Sequence, residues 1–116
     1  MARLFLTEEH MADKIRVITK RPGRPPRSVW MANSLKNFQN AVGGYIEVIS
    51  LAKDMAIICN EEGCIRELPY NCTICGAQFF GDIVLVGVKG GEFADLPLEY
   101  KEIKAMMPSL WELSGQ

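Results

Sequence analysis

Val42-Gly43-Gly44-Tyr45-Ile46-Glu47-Val48-Ile49-Ser50, followed after a short link by Met55-Ala56-Ile57-Ile58-Cys59-Asn60-Glu61-Glu62-Gly63, decides the fold class. Ile46, Val48, Ile57 and Ile58 are β-branched, and such side chains pack well on a pleated surface. The Gly43-Gly44 pair ends whatever precedes it, and Glu62-Gly63 turns the chain again. The stretch therefore reads as two neighbouring strands near the middle of one small domain.

Upstream, Lys14-Ile15-Arg16-Val17-Ile18-Thr19 alternates polar and apolar residues, as a half-buried strand does. The three prolines and one glycine of Arg21-Pro22-Gly23-Arg24-Pro25-Pro26 forbid a regular interior and make a loop. Arg27-Ser28-Val29-Trp30-Met31 returns as a second strand. So short a link has no room for a crossover, so the pair is an antiparallel hairpin. Asn33 or Ser34 then caps a short helix whose Leu35, Phe38 and Val42 recur at helical spacing, with Gly43 closing it. Before this lie residues 1–12, a tail or a short helix started at Thr7.

Downstream, Gly63-Cys64 opens an irregular passage, Leu68-Pro69-Tyr70-Asn71 reads as a turn and Cys72-Thr73-Ile74-Cys75-Gly76 as a compact one. Ala77-Gln78-Phe79-Phe80 and Asp82-Ile83-Val84-Leu85-Val86-Gly87-Val88 are strand-like and broken at Gly81. The second is so apolar that it belongs in the sheet interior. Leu98, Ile103, Met106 and Met107 predict one last helix, started at Leu96-Pro97 and ended by Pro108. The fold class is α+β: a small, mostly antiparallel sheet with an N-terminal β-hairpin and two short helices packed on it, in one domain spanning residues 13–116.

The chain has 116 residues, enough for a single core without staples. No apolar run approaches the roughly 20 residues of a membrane span, and the N-terminus does not read as a secretory signal. A cytoplasmic protein is expected, in which four cysteines serve as free thiols or metal ligands rather than disulfides. Charge is divided unevenly. Up to Arg27 there are seven Lys/Arg against three Asp/Glu, and beyond it six against eleven. Such a split marks either an electrostatic docking face or a solvated hairpin tip beside an acidic globule.

Three separated motifs give the chain a likeness to a known family. Val42-Gly43-Gly44-Tyr45-Ile46-Glu47, Ile58-Cys59-Asn60-Glu61-Glu62-Gly63 and Leu68-Pro69-Tyr70-Asn71 resemble the signature of the small phage and plasmid proteins grouped as domain of unknown function 3846. Val84-Leu85-Val86-Gly87 and Glu92-Phe93-Ala94-Asp95-Leu96-Pro97 fit it too. The likeness runs from about Lys14 to the C-terminus. It implies a setting in phages, prophages and plasmids of bacteria, and it implies no activity. The arginine-rich loop departs from the more mixed hairpin of the family.

Four groups of residues are candidates for function. Cys59, Cys64, Cys72 and Cys75 are spaced C-x4-C-x7-C-x2-C. They are either the four thiolates of a closed structural zinc site, small buried hydrophobes, or a redox pair at Cys72 and Cys75. Lys20, Arg21, Arg24 and Arg27, with Trp30, form a basic tip for nucleic acid or an acidic partner. Gly23-Arg24-Pro25 matches part of an AT-hook, but Pro22 replaces one groove-reading arginine. Asn60, Glu61, Tyr45, Tyr70 and Asn71 are weaker candidates for a ligand or partner. Neighbouring carboxylates on a strand point to opposite faces, and aromatics at this spacing are as well placed for a core as for a cleft.

No catalytic framework emerges: there is no P-loop, no HExxH, and the single histidine, His10, lies far from every cysteine. A non-catalytic binding protein of mobile-element origin is expected, monomeric or homodimeric, acting on a host defence protein such as a CRISPR effector or restriction enzyme. The alternatives are a nucleic-acid-binding accessory protein working through the basic loop, and a protein that sequesters a nucleotide.

Overall fold

The structure is a computed structural model and describes residues 13–97. Among them, strands β1 (Lys14–Lys20) and β2 (Arg27–Ala32) precede helix α1 (Leu35–Val42). Strands β3 (Ile46–Ala52), β4 (Met55–Asn60), β5 (Tyr70–Ile74), β6 (Ala77–Phe80), β7 (Ile83–Lys89) and β8 (Glu92–Ala94) follow. The main sheet has the order β2-β1-β7-β4-β3, with β8 beside β7, and β5–β6 forms a separate two-stranded sheet. Every pairing is antiparallel. The expected N-terminal hairpin is present, with Val17 opposite Val29. The final helix and the N-terminal segment lie outside the described residues.

β7 is the strand around which the others are laid. Its first half pairs with β1, its second half with β8, and its other edge with β4. Ile83, Val84, Leu85 and Val86 are all buried. An apolar run with no polar alternation fits only a strand covered on both faces. Ile83 and Leu85 join Ile18, Ile57 and Cys59 on one face, under Cys72, Ile74 and Phe79 of the β5–β6 hairpin. Val84 and Val86 join Val17, Ala56 and Ile58 on the other face, under Phe38 and Val42 of α1. The domain is thus three layers, helix on sheet on hairpin. β4 lies next to the centre as expected, but β3 is an edge strand.

Local chemistry sets the ends of α1. The Ser34 hydroxyl accepts from Asn37 N–H at 3.2 Å, a side-chain cap on an otherwise unpaired donor. Gly43 adopts φ 78°, and the N–H groups of Gly43 and Gly44 both donate to Gln39 O. That left-handed turn is the usual glycine ending of a helix. Phe38 meets Phe93 edge-on, with ring centroids 5.2 Å apart, which ties the helix to β8.

The passage after Gly63 holds more order than its sequence suggests. Cys72-Thr73-Ile74 is strand, and the turn at Cys75-Gly76 has both φ angles positive, 51° and 84°. Two such residues in succession make the tight turn whose twist suits a β-hairpin. The break at Gly81 is no bulge: it separates strands of two different sheets.

Gly87 is where the sheet tolerates no side chain. A Cβ built there would lie 2.0 Å from the carbonyl oxygen of Asp95. Gly87→Ala therefore forces β7 away from the segment following β8. Overpacking of this kind costs about 3 kcal/mol. Urea unfolding should show the midpoint fall accordingly with unchanged slope; an unaltered midpoint would contradict the close approach.

Candidate binding site at the hairpin end of the sheet

One end of the sheet gathers the end of β1, the end of β4, the start of β7 and the C-terminal turn of α1. Two buried asparagines hold it together. Asn71, only 2 % exposed, donates from Nδ2 to Lys20 O at 2.9 Å and to Gly81 O at 2.7 Å. Its Oδ1 accepts from Lys20 Nζ at 3.0 Å. Asn60 donates from Nδ2 to Val42 O at 3.0 Å and accepts at Oδ1 from Glu62 N–H at 2.7 Å. It thereby fastens the helix end to β4. Gly44 leaves room for it, since a Cβ there would come within 2.8 Å of the Asn60 amide nitrogen. Asn60 and Asn71, read from sequence as partner residues, are internal struts.

Lys20 needs the same correction. It was expected in the basic tip, yet it is 7 % exposed and faces the β5–β6 layer. The parity of β1 puts it on the side of Ile18, opposite Ile83. Desolvation pushes its ammonium below the usual lysine range, while the nearby Cys72 thiol acts in the opposite sense. The carbonyl of Arg21, 3.1 Å from Nζ, accepts a further bond.

The tip proper consists of Arg21, Arg24 and Arg27, all exposed. Arg24 N–H donates to Arg21 O at 3.1 Å, and Gly23 has φ 75°. Proline at the second position and a left-handed glycine at the third make this a type II turn. A turn of that kind sets its first and fourth residues, here the two arginines, side by side. Arg21 Nε lies 3.7 Å from Asp82 Oδ2. Both arginines line a cavity of about 440 Å³, together with Pro22, Asn40, Gly43, Leu68, Pro69, Gly81 and Asp82. Arg27 does not line it. The cavity brings together residues 40–43, 68–69 and 81–82 with the basic loop. Two of the stretches that carry the family likeness, at Val42-Gly43 and Leu68-Pro69, meet in it.

The aromatic candidates are at the surface rather than in the core. Tyr45 is 70 % and Trp30 63 % exposed. Tyr45 begins β3's edge of the domain, where its carbonyl accepts from Glu61 N–H at 2.9 Å. Trp30 stands opposite Arg16 on β2. Tyr70 packs edge-on against Phe80 and shares a hydroxyl hydrogen bond with Thr73. None of the three lines the cavity. Glu61 and Glu62 are exposed side chains at the turn after β4.

The four cysteines separate into two kinds. Cys59 of β4 and Cys72 of β5 are buried in the core between the main sheet and the β5–β6 hairpin, whereas Cys64 and Cys75 are exposed. Burial pushes both inner thiols up to about 11, with Glu47 adding to the rise at Cys59 and Lys20 opposing it at Cys72. They are therefore protonated at neutral pH. Among the described residues, no three His, Cys, Asp or Glu side chains gather into a metal-holding group. The C-x2-C spacing that suggested zinc is the end of β5 running into its hairpin turn. Also among the described residues, no helix is long and apolar enough to cross a membrane.

Comparison with known proteins gives one result of substance. The model of the family described as Domain of unknown function (DUF3846) matches residues 15–107, and the chain belongs to that family. No curated protein matches the chain, and no solved structure does.

The Lys20–Asn71 pair can be tested as a unit. Asn71→Ala removes three hydrogen bonds and takes the amide acceptor from the Lys20 ammonium, leaving it the Arg21 carbonyl, at a cost of about 3 kcal/mol. Adding Lys20→Met should recover most of that loss in urea unfolding, since the charge that needed the amide has gone. Strictly additive losses would show that the two side chains act independently.

Proposed function

We propose that this member of the family is a non-catalytic accessory protein of a phage or other mobile element. It acts in the host cytoplasm by gripping a host protein, a component of a defence system such as a CRISPR effector or restriction enzyme. The observation that carries this reading is the surface beside the asparagine-braced end of the sheet. Tyr45 is 70 % and Ile65 81 % exposed there. Arg66, next to Ile65, reaches back to Gly43 O at 3.4 Å, so the residues flank the same helix end. Two large exposed side chains on segments tied to one helix end are the material from which a contact surface is made. Tyrosine and arginine are also the residue types that dominate binding energy at protein interfaces.

Two further features support it. The frame under the patch is fixed by Asn60, so little order would have to be imposed on binding. The uneven charge gives the protein a basic tip and an acidic body, which suits selection of a partner by complementary potential. The resemblance of the sequence to a family of small phage and plasmid proteins motivates the mobile-element setting.

A panel of bacterial strains, each carrying one restriction or CRISPR system, provides the test. Expression of the protein should restore phage plating against one system. The pair Tyr45→Ala and Ile65→Ala should abolish the effect while leaving the melting temperature unchanged, because both positions are exposed. The purified component of that system should bind the variant at least about tenfold more weakly, the loss expected for a hot-spot pair. No restored plating across the panel, or full activity of the variant, would contradict the reading.

A further inference from the structure

We propose that the cavity between the basic loop and the end of α1 is a separate binding site for a nucleoside phosphate. The argument begins with the two arginines. They occupy the first and fourth positions of one type II turn, so both line the cavity from adjacent points of a proline-stiffened loop. Asp82, 3.7 Å from Arg21 Nε, holds one of them in place. Two oriented guanidiniums match the oxygens of a phosphate better than lysines do, because each presents a planar fork of donors.

The rest of the lining has a different character. Pro22, Val42, Leu68 and Pro69 offer apolar surface, the kind on which a flat base rests. Asn40 adds a side-chain amide at the helix side, while Asp82 stands at the loop side beside Arg21. A helix C-terminus carries partial negative charge, which disfavours a phosphate and favours the N–H groups of a base. The cavity is thus cationic at the loop, with apolar surface and the amide of Asn40 away from it. A nucleotide carries the complementary pair of groups at its two ends. A volume of about 440 Å³ falls within the roughly 300–1,000 Å³ typical of small-molecule sites.

The local frame supports a preformed site. Gly81 keeps φ 83° with its N–H bonded to Pro69 O at 2.7 Å and its carbonyl to Asn71. The two sides of the cavity floor, at Pro69 and Gly81, are therefore joined directly. The site does not depend on the Tyr45 and Ile65 surface, and either can fail alone.

The test uses the full chain and a panel of purine and pyrimidine nucleoside mono-, di- and triphosphates. Inorganic phosphate, the unphosphorylated nucleosides and a short single-stranded oligonucleotide serve as comparisons. At least one nucleotide should raise the melting temperature and bind measurably by calorimetry, well above phosphate or nucleoside alone. Arg24→Ala should weaken that binding at least about tenfold, as loss of a charged hydrogen-bond partner does. Arg27→Ala, outside the cavity, should leave it unchanged. Both residues are exposed, so neither variant threatens folding. Binding weakened equally by both variants, or tighter to the oligonucleotide than to any mononucleotide, would overturn the proposal in favour of diffuse attraction to nucleic acid. So would the absence of a thermal shift with every nucleotide at millimolar concentration.

Discussion

Burial of β7 on both faces is the constraint from which the rest of the architecture follows. An apolar strand of this kind needs cover above and below and a partner at each edge. β1, β8 and β4 supply the edges, α1 covers Val84 and Val86, and the β5–β6 hairpin covers Ile83 and Leu85. Remove any one of these and apolar area returns to water at roughly 25 cal/mol per Å². The three layers and their order are thus consequences of one strand's composition.

The polar residues at the end of that strand turn a packed core into a shaped surface. Where β7 begins, Gly81 and Asp82 carry the chain between two sheets, and Asn71 fixes the crossing by bonding backbone groups on both sides. Asn60 does the same for the end of α1. Buried amides of this kind are costly unless fully bonded, and both are paired through donor and acceptor. Their effect is to hold the basic turn, the helix end and the loop from Glu61 to Leu68 in one arrangement. The exposed arginines, Tyr45 and Ile65 are displayed on that frame, and the cavity lies within it.

Much of this was legible locally. The prolines of the loop, the Ser34 and Gly43 caps and the β-branched runs each act over a few residues, so hairpin, helix and central strands could be read directly. The unbroken apolar run from Ile83 to Val86 announced a covered strand. What escaped was set by contacts distant in sequence. β5 and β8 are short and weakly patterned, and they are strands because of what they cover. Tyr45 and Trp30 could be read either as surface candidates or as core, and only the layer order leaves them outside. Lys20 opens a basic run, and nothing in that run shows that Asn71, 51 positions on, covers it. The cavity unites four short segments spread along the chain from Arg21 to Asp82, so no motif spells it. The cysteines divide in a similar way: Cys72 lies in β5 and Cys75 in the turn after it, and their spacing alone does not show that one is buried and the other exposed.

The most direct measurement of the central claim is native-state hydrogen exchange, resolved by residue. The account predicts that the amides of Val84, Leu85 and Val86 exchange only through global unfolding, together with those of Ile57 and Ile58 beside them. The amides of the edge strands β2 and β3 should open earlier, through local fluctuations. If the β7 amides exchanged as readily as those of β2 and β3, the strand would not be the doubly covered centre described, and the frame built on its end would lose its foundation.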